Sequence, residues 1–381
     1  MNQYDYIIAG AGGAGLSLLM HLMQHDSFGT KKILVVDKEP KTKNDRTWCF
    51  WEEKAGLFEP VVHHSWPQVQ FKSRYYSAVL DLDPYRYKMI RGIDFYNYVM
   101  EHAAKHPNVS FIYGQVTAIA NEVNKAAVII NGQKLLATYV FNSILFQKPT
   151  IPPGNYMLFQ HFKGWLIETR EPVFTPSAAT LMDFNVSQQL GTTFVYVLPL
   201  SKTKALVEYT LFTKSLLHDN AYNLALQQYI KEYLNIDEYQ VTDDEYGVIP
   251  MTNINFERGQ GNIVNIGTAG GQTKASSGYT FQFMQKQSRQ IVQALLNNQH
   301  PLGKTGFLHK RFHFYDSTLL NILYHQKQGG DKIFSDLFRN NKAETVFRFL
   351  DNESTMADEL KIITSVSAGV FVKAAMQEIF K

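Results

Sequence analysis

The run Tyr6-Ile7-Ile8, followed by Gly10, Gly12 and Gly15, leaves few folds open to this chain. The apolar residues suffice for one buried parallel strand. The glycines then fall at G-x-G-x-x-G, and Leu16, Leu19, Met20 and Met23 recur at helical spacing. Strand, glycine turn and helix in that order need glycine for three reasons: a tight turn, close approach of backbone to a pyrophosphate, and close helix–strand packing. The free N–H groups and positive dipole end of the helix then face the phosphates. Gly10, Gly12, Gly13, Ala14 and Gly15 are therefore candidate cofactor-binding positions. A second apolar strand, Ile33–Val36, ends in Asp37, 22 residues beyond Gly15. A carboxylate there is placed to meet the ribose hydroxyls of an adenosine, so the unit reads as a dinucleotide site rather than a structural turn.

A chain of 381 residues buries one large core or two domains, and 45% hydrophobic content argues against global disorder. Twenty-six Phe and 21 Tyr suit either an aromatic core or a large apolar ligand. A net charge of +3, evenly spread, argues against a nucleic-acid partner and would not repel an anionic membrane surface. The single cysteine, Cys49, allows no disulfide within the chain, so a reducing compartment is expected. The first strand begins almost at residue 1 and no run of eighteen apolar residues occurs. Neither a signal peptide nor a transmembrane helix is expected, and any membrane contact would be peripheral.

Further along, Asp45-Arg-Thr-Trp-Cys-Phe-Trp-Glu52 carries two tryptophans, Trp48 and Trp51, either a core strand edge or a cavity wall. Arg91 precedes a helix expected over 94–105. It is either a surface arginine or, as in flavin enzymes of this layout, a residue near FAD. Short β-prone runs over 109–145, with a hairpin signal at Asn131-Gly132, form a small meander that fits a flavoprotein better than a purely nicotinamide-binding domain. Pro149–Pro153 marks a boundary, after which β-rich runs to about residue 258 would roof a ligand cavity. Asn262–Gly267, the loop Thr268–Gly278 and a helix from Tyr279 make a second strand–loop–helix unit. Gly267, Thr268, Gly278 and Tyr279 are its candidate flavin contacts. The remainder reads as short amphipathic helices that pack on a core or dock on a membrane. The expected class is α/β: a Rossmann-type FAD-binding domain (1–150, returning at 259–300), an inserted β-rich substrate domain (151–258) and a C-terminal helical segment (301–381).

Five of these elements resemble the FAD-dependent lycopene cyclases of plants and bacteria: the glycine fingerprint with Asp37; Asp45-Arg-Thr-Trp-Cys-Phe-Trp; Leu206-Val-Glu-Tyr-Thr; Gly247-Val-Ile-Pro; and Gly267-Thr-Ala-Gly-Gly with Ser277-Gly-Tyr. Gly267-Thr268 stands where many FAD monooxygenases place Gly-Asp, a departure that speaks against a hydroxylase. The resemblance implies closure of the acyclic ends of lycopene into β-ionone rings. It also implies reduced FAD as cofactor, NAD(P)H as reductant, and a location at the inner, cytoplasmic face of a membrane.

That chemistry needs a positioned acid, a dry cavity and something to stabilise a cation. Glu208 is the lone charge in Ala205–Phe212, and it matches the motif position of the family's catalytic glutamate. From the residues alone it is either a buried acid or a solvent-facing edge-strand glutamate. Trp48, Trp51 and Tyr279 are candidate cation–π partners. Asp243-Asp-Glu245 reads as a solvated charge run, and His63-His64 lacks partners at metal-ligand spacing, so no metal is expected. The competing class is a redox flavoprotein acting on an apolar substrate.

Overall fold

The glycine turn sits between the first two elements of the computed structural model, which describes residues 3–147, 149–303 and 306–381. In chain order the first part comprises β1 (Gln3–Ala9), α1 (Gly13–Met23), β2 (Ile33–Asp37), β3 (Thr47–Glu52), β4 (His64–Trp66), β5 (Gln68–Lys72), β6 (Ser77–Asp81), β7 (Arg86–Arg91), α2 (Gly92–Ala103), β8 (Val109–Tyr113), β9 (Val116–Glu122), β10 (Lys125–Ile130) and β11 (Gln133–Asn142). Strands β8, β2, β1 and β11 lie side by side and parallel. Ile7, Ile8, Leu34 and Val35 are fully buried, as parallel strands covered on both faces require. The β9–β10 meander pairs antiparallel with β11. Asn131 and Gly132 both take positive φ in its two-residue turn, the twist that a hairpin connection favours.

The second part comprises β12 (Met157–Glu168), β13 (Ala178–Asp183), β14 (Thr192–Pro199), β15 (Lys204–Thr213), α3 (Asp219–Glu232) and β16 (Gln240–Thr252). These strands form a sheet in the order β16-β12-β15-β14-β13-β5-β6. The sequence predicted strands from residues 151–258, but β5 and β6 join them from within the first 150 residues. They are short and alternate, so they could not be told from loop. Along β15, Val207, Tyr209 and Leu211 pack under α3. The intervening Leu206 and Phe212 belong to the opposite core, following the period of two along a strand.

The chain then returns to the first sheet through β17 (Gly259–Gln260) and β18 (Ile263–Asn265), the latter parallel to β11. α4 (Phe281–Leu296) packs beside α1, burying Met284, Ile291 and Val292. α5 (Phe307–Tyr324), α6 (Gly330–Asn340), α7 (Ala343–Leu350), α8 (Met356–Ser365) and α9 (Ala368–Ile379) complete the fold. Phe334, Leu337, Phe338 and Phe347 enter the core beneath the second sheet, with Phe349 half-buried at its edge. The expected Rossmann-type architecture is present. Among the described residues no single helix is long and apolar enough to cross a membrane. α8 and α9 pass that test only as a pair bent by 117°.

Candidate functional site

A cleft of about 550 Å³ opens between the two sheets. It is lined by Gly12, Gly13 and Ala14 of the glycine turn, by Glu208, Glu245, Tyr87 and Tyr196, and by Trp48, Thr268, Gly278 and Tyr279. The glycine turn has the shape its spacing predicted. Gly10 holds φ +102°, and a Cβ at Gly15 would lie 1.9 Å from the Gly10 carbonyl oxygen, so helix and strand approach as only glycine permits. At Gly12 a Cβ would meet nothing within 4 Å; that side is open for a ligand. Asp37 accepts a hydrogen bond from the Ala11 N–H at 2.6 Å and lies 3.4 Å from the Lys41 ammonium. It is therefore fixed at the end of β2 beside the turn.

Gly267, with φ +59°, packs where a Cβ would come 2.5 Å from that of Ala14. This contact joins the second loop to the first. Three buried polar atoms on residues lining the cleft, Gln160 Oε1, Ser277 Oγ and the Tyr279 hydroxyl oxygen, have no protein partner. Buried polar groups of this kind require one. An open glycine face and unsatisfied polar atoms in one cleft fit an elongated ligand with phosphates and a polar ring edge.

Of the sequence candidates, Gly10, Gly15, Asp37 and Gly267 shape the two turns without lining the cleft, and Arg91 and Trp51 do not line it either. The Arg91 guanidinium is held by both carboxylate oxygens of Asp94, at 2.6 and 2.8 Å. Arg46 is the guanidinium that lines the cleft. Trp51 is 2% exposed and stacked on Phe347 with ring centroids 4.6 Å apart. It backs Tyr279, edge-on at 4.5 Å. Alternation along β3 turns Trp48 towards Phe281 and Trp51 towards α7. Trp48 does line the cleft, resting where a Gly13 Cβ would lie 2.8 Å from its ring.

Glu208 sits on β15, a strand flanked on both sides, and faces the cleft with Leu206. Thr210 Oγ1 donates to its Oε1 at 2.8 Å. Burial, and then the nearby Glu245 carboxylate, push its carboxyl well above the usual range. Glu245 was the residue that the sequence reading misplaced as part of a solvated charge run. Asp243 and Asp244 are exposed, but Glu245 turns inward on β16. Thr47 Oγ1 donates to its Oε2 at 2.8 Å. The sequence signal was alternation: 245, 247 and 249 share a face and are half-buried, whereas Tyr246 and Val248 between them are exposed. Tyr87 and Tyr196 were missed as well, since nothing distinguishes an inward tyrosine among 21.

Register explains how the two glutamates meet. Gly164 on β12 lies between them, paired with Glu208 on one side and Glu245 on the other. Tyr196 on β14 continues the row beyond Glu208. A Cβ at Gly164 would lie 3.2 Å from Glu245 Cγ and 3.5 Å from Glu208 Cβ. Glycine thus leaves open the space between the two carboxyls, across which Glu245 acts on Glu208.

A folded state that raises the Glu208 pKa binds that proton more tightly than the unfolded chain. The stabilisation is full below the ordinary carboxylate range and is lost as pH rises through the raised value. Glu208→Gln is therefore expected to gain melting temperature over the native protein at alkaline pH, by about 2 °C or more. Near pH 5 it should show no gain. Thermal scans across pH check this, and a constant difference between the two proteins would refute it.

Comparison with known proteins adds to this geometry. The family model described as lycopene cyclase protein matches residues 5–378. A lycopene beta-cyclase from Pseudescherichia vulneris is 27% identical over 264 residues, 65% of this chain; the chain spans 62% of that relative's length. Among solved structures, a geranylgeranyl bacteriochlorophyll reductase-like protein from Thermoplasma acidophilum superimposes with TM-score 0.69 at 14% identity, covering 99% of this chain and all of the other. A flavoprotein/dehydrogenase from Cytophaga hutchinsonii does so at 0.62 and 11%, covering 99% of each. At these identities the likeness concerns the fold. Among the described residues no group of three or more His, Cys, Asp or Glu is placed to hold a metal ion.

Proposed function

Because the chain belongs to the lycopene cyclase protein family, we propose that it closes the acyclic ends of lycopene into β-ionone rings, with FAD as cofactor and Glu208 as proton donor. The observation that carries this reading is a carboxyl at Glu208 that lines the same cleft as the glycine turn, where burial favours its acid form. Cyclisation is an isomerisation. The Glu208 O–H bond breaks as a C–H bond forms at the terminal double bond, leaving a carbocation. An internal double bond closes the ring on that centre, and a proton then leaves the ring to form the new double bond. The proton returns to the carboxyl, so neither atoms nor electrons are gained.

Gly10, Gly12, Gly13, Ala14 and Gly15 would hold the pyrophosphate of FAD, and Asp37 the adenosine ribose. Gly267, Thr268, Gly278 and Tyr279 would hold the flavin end, where Gln160 and Ser277 offer unsatisfied polar atoms. Bound in its reduced form, with NAD(P)H as reductant, the flavin would supply negative charge near the cation. Trp48 and Tyr279 add π density beside the cleft, and burial holds the phenols of Tyr87, Tyr196 and Tyr279 neutral.

The test is expression in lycopene-producing cells with separation of the extracted pigments. Cyclic products of unchanged mass support the proposal. Unaltered lycopene alongside soluble, FAD-loaded protein refutes it. Substrate-stimulated consumption of NAD(P)H, one equivalent per product, would instead assign an oxidoreductase.

A hydrocarbon substrate resides in membranes, so the same reading places the protein peripherally at the cytoplasmic face of one. α8, α9 and the residue after it expose Leu360, Val372, Met376, Ile379 and Phe380, and Val372, Met376 and Phe380 line an apolar groove along α9. Phe380 is 81% and Ile379 64% exposed, so replacing them should leave the fold intact. Burying each contributes about 1.5–3 kcal/mol. The double variant Ile379→Asp/Phe380→Asp is expected to lower co-sedimentation with anionic vesicles at least about tenfold. Equal sedimentation of the two proteins would remove this face from consideration.

A further inference from the structure

We propose that Glu245 is a positioning residue that keeps Glu208 in its acid form and aims its O–H, the two carboxyls sharing one proton across Gly164. The inference rests on Glu208 as the donor and adds a second carboxyl to that site.

Three observations carry it. The first is register: Glu208, Gly164 and Glu245 occupy one row across three neighbouring strands, on the face that lines the cleft. Two side chains on strands once removed meet only if the intervening position is empty, and glycine makes it so. The second is the distribution of donors. Thr47 donates to Glu245 and Thr210 donates to Glu208, one hydroxyl each. One donor apiece does not stabilise two anions in a buried pair, so one of the carboxyls keeps its proton. The third is position. Glu245 lies on the edge strand β16, next to exposed Asp244, whereas Glu208 lies on the interior strand β15.

Among the described residues that line the cleft, Arg46 is the only Lys or Arg. Cys49, Tyr196 and Tyr279 face Glu208 from three other elements, and Cys49 also faces Glu245. Tyr87 lies against Cys49 and Tyr279. Asp243, on the same strand as Glu245, adds a like charge. Arg46 lines the cleft, but its charge is directed to Asp45 and Asp37. Two carboxylates facing each other in a dry slot cannot both ionise, and one proton spread over the pair is the outcome.

The experiment titrates the protonated-carboxyl infrared band of the purified full-length protein, without substrate, and measures the pH profile of cyclisation in parallel. The native protein should show a band that titrates on the alkaline side and is missing in Glu208→Gln. In Glu245→Gln the amide still fills the site but carries no charge. The midpoint should then fall by about one pH unit or more, and the alkaline limb of activity should move the same way. Activity should recover towards the native level at acidic pH, and Glu245→Asp should restore part of the native profile. Gly164→Ala, which forces the carboxyls apart, should shift both readouts in the same direction. A native midpoint in both Glu245→Gln and Gly164→Ala would overturn the proposal. A band that shifts as stated in a protein that does not cyclise lycopene would uphold the pair and sink the assigned reaction, so the two failures are distinguishable.

Discussion

Glu208→Gln is expected to lower cyclisation roughly a thousandfold, the middle of the range for removing a positioned general acid. The substitution is nearly isosteric. Its carbonyl oxygen can still accept from Thr210 as the carboxyl does now, and its amide fills the same space beside Glu245. The flanking strands β12 and β14 fix the backbone on both sides, so the cleft should keep its shape and its cofactor affinity. What disappears is the transferable proton. Cells making lycopene should retain it unchanged while the purified variant binds FAD as the native protein does. If the variant still forms rings at near-native rates, the proton comes from another group and the assignment of Glu208 fails.

The second large effect concerns the glycine turn, where two neighbouring glycines should behave oppositely. Gly12 has φ −87° and ψ −168°, a backbone any residue adopts, and its Cβ position is open. Gly12→Val should therefore cost the cofactor-free protein only about 1 kcal/mol, the loss of a favoured N-cap residue at the start of α1. Its side chain would nevertheless occupy the space at the N-terminus of α1 where a pyrophosphate belongs, so FAD affinity should fall at least about a hundredfold. Gly15 is the reverse. A Cβ 1.9 Å from the Gly10 carbonyl oxygen cannot be accommodated without moving β1 and α1 apart. Gly15→Ala should destabilise the cofactor-free protein by about 3 kcal/mol or more, beyond ordinary overpacking. Calorimetry and flavin titration of the two variants separate these effects. Native FAD affinity in Gly12→Val would show that the pyrophosphate lies elsewhere.

The difference between what was legible and what was not follows from the range of the interactions involved. The glycine turn, Asp37, the Asn131-Gly132 hairpin and the helices α2, α3 and α4 rest on contacts among residues close in sequence, and local pattern exposes those. The strands β5 and β6 are too short to carry a pattern of their own. They are strands because β13 offers β5 an edge and β5 offers one to β6. Arg91 shows the converse error: a plausible position beside a helix start does not reveal that Asp94, one turn on, already holds the guanidinium. The C-terminal phenylalanines were correctly seen as amphipathic, but amphipathicity alone did not say that α6 and α7 cover the second sheet while α8 and α9 leave apolar side chains outside.

The sequence by itself determined the Rossmann-type half and singled out Glu208, because a glycine spacing and a lone charge in an apolar strand are properties of contiguous residues. Only the tertiary structure decided which other groups stand beside that acid. Glu245 comes 37 residues later in a run that looks solvated, and Gly164 more than forty residues earlier in a strand where one more glycine attracts no notice. Their meeting depends on the register of β16 and β15 against β12. A slip of one residue would turn every side chain on a strand to the other face, and no single strand carries that information in its own residues.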